Sequence, residues 1–248
     1  MKKIFIILFI FLFLFVSAPQ AFAASPSRIG TDTIFSSTGT SHTAAHTVPS
    51  TGQNRALIVI IFHGWNIAPT GVTYNGVAMT QIVNVVAGQL NNGWMFYLAN
   101  PDTGNHDVVA SFADSRLREL VIFTLQDTAQ SSPVDVTGTV ASGASATSAT
   151  KEITTTVDGD LIISWLFVDS TPTGITDDAG QTSIRIRTGT DPQNAASEKA
   201  QTTAGAVSMG YTWTNLSPFD LYTTSIKYLA PTPEAVSAGE EYIIINEE

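Results

Sequence analysis

The side chains in this sequence that could do chemistry are few, and their spacing decides what they can do. Ile60-Ile61-Phe62-His63-Gly64-Trp65 is an apolar run that ends in His-Gly, which suits the oxyanion loop of a serine hydrolase. The closest nucleophile elbow is the variant Ala206-Val207-Ser208-Met209-Gly210. An elbow needs a sharp strand-to-helix turn, with an acid and then a histidine following the serine. Ser208 instead lies in an alternating pattern that continues to Trp213, and the last histidine of the chain is His106. No catalytic residue is therefore assigned, and the chain is not expected to be an enzyme.

His42 and His46 are four apart, a spacing that on a helix would suit one zinc ion. On a strand they share a face about 13 Å apart, too far to share a metal, and they read as surface histidines. Asp158 and Asp160 flank a turn glycine, and Asp177-Asp178 precede Ala179-Gly180. Aspartates in such places hydrogen-bond nearby backbone amides. A loop calcium on Asp177 and Asp178 with backbone carbonyls is the one metal the pattern accommodates, and no other cofactor is expected. With no cysteine anywhere, thiol catalysis, cysteine-ligated zinc and iron–sulfur chemistry are excluded. Trp65 follows a strand end, with Asn66 and His63 beside it. These three are the expected ligand-binding set, the indole offering a face on which a sugar ring can stack. Trp94, Trp165 and Trp213 fall within strand patterns and are assigned to the core.

The elements that must hold these residues are strands. Helical periodicity is missing, whereas short apolar or alternating runs recur between Gly, Pro, Asn, Asp and Ser. Strands are expected at 31–36, 42–48, 56–63, 72–74, 77–79, 81–86, 94–98, 106–112, 119–125, 135–140, 152–157 and 161–168. Three more centre on Ile184, on Met209 to Trp213 and on Tyr222 to Tyr228. Asn75-Gly76 between two of them signals a type I′ hairpin, which needs two positive φ values. The run 56–63 is dense enough to be covered on both faces. Ile184 and Ile186 alternate with Arg185 and Arg187, so the isoleucines are expected inside and the arginines in water. The fold class is all-β: an antiparallel β-sandwich, jelly-roll-like, of about twelve strands.

The two ends differ from the middle. Lys2 and Lys3, the apolar stretch from Ile4 to Val16 and the small-x-small Ala21-Phe22-Ala23 form a secretory signal peptide, 1–23. The apolar stretch is shorter than the roughly 20 residues that span a bilayer. With no cysteine after it, a lipid-modified N-terminus is excluded. The sandwich domain is 24–230, long enough to bury a core without disulfides, and 231–248 is an acidic tail around the apolar run Tyr242 to Ile245. The whole chain carries a formal charge of −10, and loss of the leader removes two lysines, so nucleic acid is a poor partner.

Several segments together carry a resemblance: Asn54-Arg55-Ala56-Leu57, Val72 to Thr80, Trp94 to Leu98 with Asn100-Pro101, Thr103 to Val109, Pro133-Val134-Asp135 and Asp158 to Leu161. Over about 28–230 the chain resembles an uncharacterised β-sandwich module of secreted and surface-exposed bacterial proteins. The resemblance implies a fold and brings no catalytic residues. The expected role is a secreted, non-enzymatic binding or surface-interaction module. Its expected partner is a polysaccharide or another cell-surface component. The alternative is a structural subunit of an extracellular filament or coat, and an esterase or glycoside hydrolase ranks last.

Overall fold

The computed structural model describes residues 25–63, 67–82, 92–136, 140–169, 173–189 and 193–229, with only the backbone of His63 and Asn92. The leader 1–23, Trp65, Asn66, the His63 side chain and the tail 231–248 lie outside the described residues. Thirteen strands form two antiparallel sheets packed together, the all-β sandwich expected from the alternation.

The first sheet contains β1 (Ser27–Val48), β2 (Ala56–His63), β3 (Gly71–Tyr74), β4 (Val77–Ala78), β5 (Thr80–Gln81), β6 (Asn92–Ala99) and β7 (Gly104–Gln126). The second contains β8 (Ala141–Thr154), β9 (Asp160–Val168), β10 (Thr176–Asp177), β11 (Thr182–Arg187), β12 (Gln193–Gln201) and β13 (Ala206–Ile226). Between the sheets Ile58, Ile60, Phe62, Val121 and Phe123 meet Leu161, Ile163, Trp165, Tyr222 and Ile226. Trp165 stacks on Tyr222 with ring centroids 5.3 Å apart, a pairing that adds to area burial.

The two sheets repeat one plan. In the first, the long last strand β7 pairs with β1 along its length, with β2 at its C-terminal half and with β3 at its N-terminal half, while β2 goes on to β6 and β6 to β5. In the second, β13 pairs in the same way with β8, β9 and β10, and β9 goes on to β12 and β12 to β11. Even the register repeats. Leu57↔Thr124 corresponds to Ile162↔Ser225, Val72↔Ala110 to Asp177↔Tyr211, and His42↔Ala110 to Ala149↔Tyr211. Gly104 and Gly205, each at or just before the start of its long strand, both have positive φ, 107° and 149°. The chain is thus an internal duplication at the level of hydrogen-bond ladders, although its halves share few side chains.

Each sheet also doubles back on itself. β1 and β7 slip register between Gly39 and Ser41, and beyond that bend the ribbon lies over the outer face of β2. Leu57, Val59 and Ile61 of β2 therefore pack with Ala44, Val72, Val108 and Ala110. This is why 56–63 is apolar on both faces, as its sequence suggested. In the second sheet Leu166 and Val168 of β9 pack likewise with Ala149, Tyr211 and Trp213.

The bend corrects the expectation for two histidines. His42 and His46 are buried, 0% and 2% exposed, because the folded-over arm turns them inward. They reach back to the other arm of their own strand. His46 hydrogen-bonds Thr33 Oγ1 at 2.9 Å and Thr124 Oγ1 at 3.0 Å, and His42 bonds Ser37 Oγ at 2.7 Å and the Gly39 carbonyl at 3.0 Å. Burial lowers the pKa of His46 from 6.5 to about 4. The folded protein therefore keeps this ring neutral, while the unfolded chain protonates it near 6.5. The contribution is complete above that pH and is lost as the pH falls toward 4. Urea midpoints measured from pH 7.5 to 4.5 should show this loss as a difference between the native protein and His46→Gln. Parallel curves for the two would mean that the ring is not held neutral.

Other sequence expectations change in detail. The strands at 31–36 and 42–48 are the two arms of β1, and those at 106–112 and 119–125 the two arms of β7. Residues 135–136 form no strand, although Val134 bridges Ile226. β12, which the sequence reading omitted, has no alternation, because Asn194, Ala195, Ala196 and Ser197 are buried in succession. Arg185 and Arg187 do not face open water. A register slip between Ser183 and Arg185 turns both toward Glu119 of the other sheet and leaves Ile186 37% exposed.

Candidate functional site

The hairpin β3–β4 and the start of β7 form a polar concavity. Asn75 and Gly76 take φ of 46° and 77°, the two positive values that the I′ turn requires. The Asn75 amide donates to the Asp107 carbonyl at 3.1 Å, and its Nδ2 to Asp102 Oδ2 at 2.9 Å. Beneath them the Tyr74 hydroxyl donates to the carbonyls of Asp102 and Gly104 at 3.1 and 3.2 Å. Burial, followed by the nearby Asp102 charge, raises the pKa of that phenol. His106 packs edge-on against Tyr74, 5.6 Å between centroids, with Nε2 3.2 Å from the Thr103 carbonyl.

The result is an open groove of about 450 Å³ lined by Thr73, Asn75, Gly76, Asn105, His106, Asp107 and Val109. Val77, 49% exposed, stands on the same hairpin. Its donors and acceptors are amide, imidazole, carboxylate and hydroxyl groups held on strands, the inventory that matches vicinal hydroxyls of a polyol.

The duplicated half acts as an internal control. Counting along the matched ladders, the stretch Asn105-His106-Asp107 corresponds to Ala206-Val207-Ser208 on β13. Nearby, Gln181 Oε1 accepts from the Gly210 amide at 2.7 Å and its Nε2 donates to the Gly210 carbonyl at 3.1 Å and to Ser197 Oγ at 2.7 Å. The shared fold therefore does not require the polar set of the first half.

The residues singled out from the sequence fall in different places. Ser208 is the third residue of β13, paired with Glu152 of β8 within a continuous ladder, so no elbow forms around it. The backbone of His63 ends β2 opposite Asn92 of β6. Asp177 ends β10 at the position matching Val72. One carboxylate oxygen is sealed off without a partner, and burial raises its pKa. Asp178 packs against Gly210. Among the described residues no three His, Asp or Glu side chains gather as a metal group. Asp158 caps the Ala204 amide at 2.7 Å, the turn role expected of it, whereas Asp160 is wholly buried.

The groove was missed in the sequence because its residues come from two segments about 30 positions apart, joined only by the β3–β7 ladder. The one local signal was the polar run Asn105-His106-Asp107 after a turn. Searches of protein-family models, of curated proteins and of solved structures find no match to this chain.

Proposed function

We propose that this chain is a non-catalytic, exported binding module that takes a polyhydroxylated ligand, a carbohydrate, in the groove between β3 and the start of β7. One observation carries the reading: Asn75, Asn105, His106 and Asp107 line an open groove in one half of a duplicated fold, while the stretch matching Asn105 to Asp107 in the other half is Ala206-Val207-Ser208. Export rests on the leader-like N-terminus and suits an acidic, cysteine-free chain. Ser208 and His63, the residues of the hydrolase pattern, occupy strands of different sheets.

A glycan array of the protein tests the proposal, with Asp107→Ala and Trp65→Ala as the informative variants. Asp107→Ala is expected to weaken binding about tenfold or more, the effect of one lost charge-assisted hydrogen bond. Loss in Trp65→Ala alone would move the site to the end of β2. No binding to any glycan would remove the carbohydrate clause.

A second reading, a subunit of a filament or coat, is favoured by the free sheet edges. β1 pairs only with β7 and β8 only with β13 among the described residues, and such edges accept an added strand. Size-exclusion chromatography with and without 231–248 separates the two readings, since a filament subunit would associate and a binding module would stay monomeric.

A further inference from the structure

The connection between the two halves runs past two carboxyl groups, Asp135 and Asp160. After β7 the chain crosses to the second sheet and is stitched to the end of β13. Thr128 bridges Tyr228 and Val134 bridges Ile226, and the Lys227 amide donates to the Pro133 carbonyl at 2.7 Å. The Asp135 amide donates to the Ser225 carbonyl at 3.2 Å, and the Val136 amide to Ser225 Oγ at 3.1 Å. The Asp135 carboxylate then caps the turn before β9, accepting from the Thr156 amide at 2.6 Å and from its hydroxyl.

Behind this cap lies Asp160, the first residue of β9. It is 0% exposed, and neither carboxyl oxygen has a well-formed hydrogen bond, the Asp135 and Ser225 side chains being its polar neighbours. A buried carboxylate without partners is costly, whereas a buried carboxylic acid costs much less. The charged groups facing it are Asp135 from the connection and Lys227 from the end of β13. The remaining neighbours are neutral: Ser225 on β13 and Gln201, its cross-strand partner on β12. The nearby Asp158 carboxylate is committed to the Ala204 amide.

We propose that Asp135 and Asp160 form a one-proton latch that clamps the crossover at 133–136 onto the second half while the proton is present and loosens it when the proton leaves to solvent. Asp135 carries the negative charge, lowered in pKa by its bonds to Thr156, though burial opposes this. Asp160 carries the proton, its pKa raised from 3.8 to about 7, first by burial and then by the Asp135 charge. A group with a raised folded pKa stabilises fully below its unfolded value, and that contribution is lost as the pH rises through its folded value. The latch therefore weakens between about pH 4 and 7, the opposite direction to His46. Above 7 the crossover keeps its backbone bonds and its bonds to Thr156, Thr224 and Ser225, without the Asp160 proton.

The test is hydrogen exchange of the Val134, Asp135 and Val136 amides in the intact protein at pH 6 and pH 8.5, corrected for intrinsic rates. Protection at these amides is expected to fall about tenfold for each pH unit of unmatched proton release, with little change in β2 or β9. Asp160→Asn, which is neutral at every pH, should abolish the difference. Carbon-13 titration of the side-chain carboxyls in the unaltered protein serves if that variant does not fold. One aspartate titrating near neutrality supports the latch. All aspartates titrating below pH 5, or equal loss of protection in Asp160→Asn, overturns it.

Discussion

Glu119→Ala should destabilise the protein by about 3 kcal/mol, read as a lower urea midpoint with the slope of the transition preserved. Glu119 lies on β7 of the first sheet, 1% exposed. Its Oε1 accepts Arg185 Nε at 2.9 Å, and its Oε2 accepts Arg185 Nη2 at 3.1 Å, Arg187 Nη1 at 2.8 Å and the Ser36 hydroxyl at 3.1 Å. Both arginines belong to β11 of the second sheet, so a single carboxylate ties the halves together along one flank. Removing one side of a buried pair costs about 3–5 kcal/mol, because the remaining charge is stranded. The arginines keep 25% and 16% of their side-chain surface and can turn partly to water, which places the expected cost at the lower end. The effect should persist in high salt, since buried pairs are screened little. A loss under 1 kcal/mol would reduce these contacts to surface decoration.

Gly93→Ala should cost a similar amount for a different reason. Gly93 lies on β6 opposite Phe62, and a Cβ there would fall onto Nε1 and Cδ1 of Trp165 in the facing sheet. Flexible side chains can yield to a new methyl, but this indole is wholly buried and stacked on Tyr222. Overpacking of that kind costs about 3 kcal/mol. Loss of near-ultraviolet dichroism from the Trp165–Tyr222 stack should accompany the lower midpoint. Trp165→Phe in the same chain should recover part of the loss, because a smaller ring leaves room for the methyl, and the non-additivity would identify the contact. Additive costs would place the strain elsewhere.

These two contacts and the Asp135–Asp160 latch all lie where the halves meet, and none of them was visible in the sequence. Arg185 and Arg187 alternate with isoleucines, and by alternation alone they belong in water. Only the slip in register at Ser183 and the carboxylate of Glu119, contributed by the other sheet, give them a partner. Asp160 looked like a turn residue equivalent to Asp158, and the difference between them is that one meets a backbone amide and the other a closed interior. His42 and His46 share a strand face, as expected, but whether that face is wet depends on a bend that brings a second ribbon over it.

The amino-acid order alone determined the all-β class, most strand positions, the Asn75-Gly76 hairpin and the burial of Trp94, Trp165 and Trp213. Those features follow from period-two alternation and from residues that tolerate positive φ, which act over a few neighbouring positions. Tertiary structure alone decided the duplicated ladder plan, the doubling back of each sheet, the groove at Asn75 and Asp107, and the burial of Asp160 beside Asp135. Each of these depends on segments tens to about a hundred positions apart meeting in space. A side chain's solvation and charge are set by what it finally touches, and the local sequence does not contain that neighbour.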